Sequence, residues 1–176
     1  MTEEKLPIFT PEFWHERLIS ARKRGHIHVA VYDVSVAEWE RVTAYIKEAV
    51  LRYVKPGDKV LDAGCGYGWL SEVLPKDVSY VGVDGSPHLI EEAKERFPDK
   101  TFLCEKLEKL PFIDKRFDWA VGSSIEGVII ENISSLKWLQ VEAELCRVAK
   151  KILLIGYGSY KDGYYFIIED GKRRKV

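Results

Sequence analysis

Two periodicities divide the chain. From Glu12 to Arg24 the apolar residues Phe13, Trp14, Leu18, Ile19 and Ala21 recur at helical spacing, with Thr10 as N-cap, Pro11 in the first turn and Gly25 as the stop. A second helical pattern runs from Ser35 through Trp39, Val42, Tyr45, Ile46, Ala49, Val50 and Tyr53. Ser35 and Glu38 stand at capping-box spacing, and Pro56-Gly57-Asp58 ends the pattern. Beyond Lys59 short apolar runs alternate with helical stretches. The strands are Val60-Leu61-Asp62, Tyr80 to Val83, Thr101 to Cys104, Phe117 to Val121 and Lys151 to Ile155. Helices are expected over about Trp69–Leu74, Pro87–Arg96 and Ser135–Val148. The tail, Tyr164 to Ile168 and Lys172 to Val176 around Asp170-Gly171, reads as a hairpin.

Strands that are apolar throughout, each followed by a helix, imply a mostly parallel sheet covered on both faces. The expected architecture is α/β, a Rossmann-like doubly wound sheet with an N-terminal helical cap and a short C-terminal hairpin. One domain is expected, with the cap over 1–55, the core over 56–156 and the hairpin over 157–176. The chain has 176 residues, of which 46% are hydrophobic, enough for a sizeable core.

Lysine plus arginine number 27 against 28 acids, a net charge of −1, so no general field draws the chain to nucleic acid. Three separated cysteines, Cys65, Cys104 and Cys146, form no metal-ligand spacing, so no metal is expected and reduced thiols are. No apolar run has membrane length, and a cytoplasmic protein with no membrane partner is expected. Asn132 and Gln140 are the only amides and Met1 the only methionine, a composition like that of thermophile proteins.

The chemistry concentrates in Asp62-Ala63-Gly64-Cys65-Gly66-Tyr67-Gly68-Trp69, three glycines between a strand and a helical stretch. Glycines there let the backbone turn and approach a ligand closely. A dinucleotide fingerprint would need glycine where Trp69 stands, which counts against a nicotinamide oxidoreductase. Asp84 ends the second strand, where such folds place an acid on ribose hydroxyls.

These residues resemble the class I S-adenosylmethionine-dependent methyltransferases, whose first motif is an acid followed by GxGxG and whose second is an acid ending the second strand. The resemblance runs from about Val54 to Gly156 and includes Asp84 to Lys94, Leu110-Pro111-Phe112 and Phe117-Asp118. It implies S-adenosylmethionine as cofactor and S-adenosylhomocysteine as product. Asp62 and the backbone of Gly64, Cys65 and Gly66 would meet its methionine part, Asp84 its ribose and Ser86 its adenosine, with Gly85 and Ser123 completing the contacts. The family's usual adenine step is replaced by Lys106-Leu107, which leaves the amine partner open between Glu105 and Glu108 and makes Leu107 an apolar contact.

Displacement at a sulfonium needs alignment and dryness more than a catalytic dyad. The candidates facing an acceptor are Glu126, on the loop after the fourth strand, and Tyr32, in the cap. Gly122-Ser123-Ser124 replaces the Asn/Asp-Pro-Pro-aromatic motif of nucleic-acid base methyltransferases, which counts against that activity. His26 and His28 are expected to be surface or satisfied histidines. The acceptor is expected to be a small molecule. The alternatives are an RNA or protein acceptor, with Arg22, Lys23 and Arg24 as a local basic face, and a non-catalytic cofactor-binding regulatory or scaffold protein. Lys172-Arg173-Arg174-Lys175 reads as a solvated charged strand as readily as a phosphate contact. Only 20 residues follow Gly156. Either the hairpin follows the fifth strand directly, or the sheet edge is covered by a partner, and a homodimer is one expectation.

Overall fold

The computed structural model describes residues 10–24, 35–126, 129, 134–157 and 163–176. Seven strands make one sheet: β1 (Lys59–Ala63), β2 (Ser79–Asp84), β3 (Thr101–Cys104), β4 (Phe117–Ser123), β5 (Ala149–Tyr157), β6 (Gly163–Glu169) and β7 (Lys172–Lys175). Their order is β3-β2-β1-β4-β5-β6-β7. The first five pair in parallel, whereas β6 runs antiparallel to β5 and β7 to β6. The order turns around between β1 and β4, and at such a switch point a crevice opens beyond the carboxyl ends of the strands.

Both faces of the sheet are buried, which is why its strands read as unbroken apolar runs. Along β5, Ile152 and Leu154 belong to one side of the core with Trp138, Val141 and Leu145 of helix α4 (Ser135–Val148). Leu153 and Ile155 belong to the other, with Trp39, Ile46 and Val50 of helix α2 (Val36–Tyr53). The expected capping box is present: Ser35 Oγ accepts from the Glu38 N–H at 3.3 Å and Glu38 accepts from the Ser35 N–H at 2.9 Å. Helix α1 (Pro11–Arg24) lies on α3 (Pro87–Arg96), where Arg22 pairs with the buried Glu92 and the His15 and His88 rings stand 3.9 Å apart.

One element departs from expectation. In place of a helix over Trp69–Leu74 there is a single 3₁₀ turn, Trp69–Glu72. Its bonds are the tighter kind, Ser71 N–H to Gly68 O at 3.1 Å and Val73 N–H to Leu70 O at 3.1 Å. Pro75 disfavours helical geometry at Leu74 and offers no N–H of its own, leaving too little chain for an α-helical ladder. Trp69 and Leu70 turn inward instead, and Trp69 meets Trp39 of α2 edge to face at 5.1 Å. At the other end of the sheet, Asp170 (φ 50°) and Gly171 (φ 69°) make the two-residue turn between β6 and β7, and β6 pairs with β5 directly.

Candidate functional site

The crevice at the switch point holds a cavity of about 380 Å³. One wall is the glycine loop, in which Gly64 (φ 70°), Gly66 (φ 54°) and Gly68 (φ 83°) all adopt left-handed geometry. The loop is tied to β2: the N–H groups of Gly64 and Cys65 both donate to Val83 O, at 2.8 and 3.0 Å. Asp84 completes the fastening, accepting from Gly66 N–H at 3.0 Å through Oδ2 and from Ser86 N–H at 2.8 Å through Oδ1. Burial pushes the Asp84 carboxyl up, while the two N–H donors pull it back, and the balance stays above the ordinary value.

Asp62 lies deeper, 2% exposed, with Tyr80 Oη donating to its Oδ2 at 2.7 Å. Burial raises its carboxyl from 3.8 to about 7; the Tyr80 bond opposes the rise and the nearby Asp84 charge adds to it. Burial also pushes the Cys65 thiol well above its usual range, which disfavours its thiolate.

Another wall comes from the end of β4 and the chain just after it. Ser123 and Ser124 line the cavity, and neither buried Oγ has a hydrogen-bond partner among the described residues. Ser124 has φ 63°, a left-handed conformation uncommon for a residue other than glycine. Trp14 of α1 and Lys137 of α4 line the same space. Lys137 is paired with Glu108, and this ammonium and a backbone N–H outweigh burial to hold the Glu108 carboxyl below the usual range.

All eleven residues expected to face a cofactor line this one cavity: Asp62, Gly64, Cys65, Gly66, Asp84, Gly85, Ser86, Glu105, Lys106, Leu107 and Ser123. Glu126, expected to face an acceptor, is not among the lining residues; its carboxylate is engaged by Arg173 of β7 at 2.6 and 2.7 Å. Tyr32, His26 and His28 lie outside the described residues. Trp14, Ile125, Lys137 and Val141 line the cavity without having been singled out in the sequence. Only the unusual Gly122-Ser123-Ser124 step pointed toward Ile125, and nothing local marks the other three. Among the described residues no group of three or more His, Cys, Asp or Glu is placed to hold a metal ion, and no helix is long and apolar enough to cross a membrane.

Comparison with known proteins matches residues 60–151 to a family model described as a methyltransferase domain. The eEF1A lysine and N-terminal methyltransferase of Mus musculus is 31% identical over 126 residues, 68% of this chain and 18% of that protein. The malonyl-[acyl-carrier protein] O-methyltransferase of Erwinia pyrifoliae is 36% identical over 74 residues, 40% of this chain and 28% of that protein. The chain therefore spans well under a third of either relative's length. A solved structure from Methanococcus maripaludis, described as an S-adenosyl-L-methionine-dependent methyltransferase, superposes with a TM-score of 0.61 at 19% identity, covering 89% of this chain and 67% of that one.

Proposed function

The chain belongs to the class I S-adenosylmethionine-dependent methyltransferases, and on that premise we propose that it transfers a methyl group from S-adenosylmethionine to a small-molecule acceptor. The observation that carries the cofactor part of this reading is the Asp84 carboxylate, which clasps the glycine loop yet keeps acceptor capacity. A carboxylate has about four lone-pair sites. The N–H groups of Gly66 and Ser86 use one on each oxygen, so a ribose diol can be received by the rest. Asp62 fits as well: it is a buried acid whose charged form lacks a cationic partner in its surroundings, and the cofactor's positive charge supplies one. The unpartnered Ser123 hydroxyl and the open space beside Gly66, where a Cβ would meet nothing within 4 Å, leave polar contacts and room on the same cavity.

Bound there, S-adenosylmethionine supplies a methyl group on positively charged sulfur, already activated for displacement, and leaves as S-adenosylhomocysteine. Asp62, Gly64, Cys65 and Gly66 would hold its methionine end, Asp84 and Gly85 its ribose, and Ser86, Glu105, Lys106 and Leu107 its adenosine. The work left to the protein is orientation and the exclusion of water. Trp14, Ile125, Ile129 and Val141 give the cavity apolar walls suited to that. Glu126, with its charge taken up by Arg173, acts in this reading on structure rather than as a base. Free Cys65, Cys104 and Cys146 support a reducing, cytoplasmic setting.

A protein acceptor is the second reading, favoured by a relative over 68% of this chain that is named an eEF1A lysine and N-terminal methyltransferase. The test begins with isothermal titration of S-adenosylmethionine and S-adenosylhomocysteine into the protein and into Asp84→Ala and Gly66→Trp. Binding by the native chain that is lost in both variants supports the cofactor reading, and no binding by the native chain refutes it. Methyl-labelled cofactor incubated with fractionated cell extract then separates the acceptors: label in the small-molecule fraction supports the proposal, and label confined to protein replaces it with the second reading. Binding with no label transferred to any fraction points to the regulatory or scaffold alternative.

A further inference from the structure

Ile125 is seated between two glycines. A methyl group on Gly64 would fall 2.5 Å from Ile125 Cγ2, and one on Gly122 would fall 2.6 Å from its Cδ1, closer than side chains pack. The same side chain lines the cavity, so the wall between the glycine loop and the end of β4 has the shape of Ile125. The residue before it, Ser124, is held at φ 63°, and a left-handed non-glycine residue persists only where its surroundings impose it.

The restraint comes from both sides. Ser124 N–H donates to Ile155 O of β5 at 2.7 Å. Beyond Ile125, the Glu126 carboxylate receives both ends of the Arg173 guanidinium, Nη1 at 2.6 Å and Nη2 at 2.7 Å, across a separation of 47 residues. Arg173 is steadied in turn by the Phe166 ring, 4.0 Å beneath its guanidinium carbon, and its Nη1 is 3.5 Å from Glu142 of α4. Two parallel bonds to one carboxylate fix direction as well as distance, which an ammonium in the same place does not.

We propose that Arg173 is a positioning residue: from the sheet's last strand it grips Glu126, keeps Ile125 seated between Gly64 and Gly122, and so sets the cavity wall before any ligand arrives. Arg173 itself does not line the cavity; it acts through Glu126 and Ile125. The role in ligand binding rests on the cofactor reading above, so the test has two arms.

In the first, S-adenosylhomocysteine is titrated into the native chain, Arg173→Met, Glu126→Gln, Arg173→Lys and the reversed pair Glu126→Arg with Arg173→Glu. Loss of one partly exposed ion pair should weaken binding about fivefold in the first two variants. Lysine should recover part of this, and the reversed pair less, since a carboxylate at position 173 would face Glu142 and lie over the Phe166 ring. Lys151→Met is the control, since it removes an ion pair to Glu169 at 3.0 Å that joins the same hairpin to β5 away from the loop, and it should leave affinity unchanged. Unchanged affinity in Arg173→Met and Glu126→Gln, or an equal loss in Lys151→Met, overturns the proposal.

In the second arm, hydrogen exchange of the amides of residues 122–126 is followed in the ligand-free protein. Exchange should quicken in Arg173→Met and not in Lys151→Met; identical exchange in the native chain and Arg173→Met overturns the clamp. A native chain that binds neither S-adenosylmethionine nor S-adenosylhomocysteine refutes the cofactor reading alone, and exchange then decides the fate of the clamp.

Discussion

Asp62 makes cofactor binding a proton-linked event. Its carboxyl is raised from 3.8 to about 7, chiefly by burial. In the free protein it is mostly protonated at pH 6 and mostly ionised at pH 8. A raised acid favours the fold fully below its unfolded value, and that contribution is lost as pH climbs through 7. The gap between 3.8 and about 7 sets a ceiling of about 4 kcal/mol on the effect. A positively charged ligand draws Asp62 to its ionised form, so binding at low pH must expel the proton. Affinity for S-adenosylmethionine should therefore weaken about tenfold from pH 8 to pH 6, with close to one proton released per molecule bound at about pH 6. Titration calorimetry in buffers of differing ionisation enthalpy reads the proton directly. Asp62→Asn should flatten the profile. Tyr80→Phe removes a bond that favours the charged form and should move the midpoint upward. A native chain whose affinity is flat across this range, with the same binding heat in every buffer, would refute the reasoning.

Gly122→Ala forces a methyl group against Ile125 and should lower stability to urea by about 1–3 kcal/mol; adding Ile125→Val, which removes the atom 2.6 Å from the new methyl, should recover part of it. Arg147 binds the Leu110 and Phe112 carbonyls, Asp114 and Glu144, so Arg147→Met should cost about 2–3 kcal/mol in the same assay. The sheet's outer strand β7 exposes Lys172, Arg173, Arg174 and Lys175, and pairing it with a second copy would set like charges side by side. Light scattering should accordingly give a mass near 20.3 kDa, against the homodimer that an open sheet edge suggests.

What could be read from the sequence was what local chemistry dictates. Asp62, the three glycines and Asp84 stand within a strand, a turn and a strand, and each of these is specified by neighbours in the chain. The turn after the glycines departs from its helical pattern because Pro75 lies just past that pattern and governs it. Trp14 shows a different boundary: its helical spacing announces α1, but only the docking of α1 on α3 brings that side chain to the cavity. Glu126 reads from the sequence as an acid facing an acceptor, and its pairing with Arg173 is not legible there for a similar reason, since the partner is 47 residues away and no pattern joins them.

The brief 3₁₀ turn after the glycine loop has a consequence for where this molecule can be cut. Because that turn covers so little of the sheet, the space is filled by Trp39, Ile46 and Val50, which come from before β1, and by Ile167 from the hairpin. The matched segment, residues 60–151, contains none of these four. Excised at those limits, it would present Val60, Trp69 and Trp119 to water along one whole face, a surface that drives aggregation rather than folding. The stretch of chain that the family model matches is thus shorter than the stretch that must fold together, and grafts or minimal versions of this protein have to carry α2 and the hairpin with them.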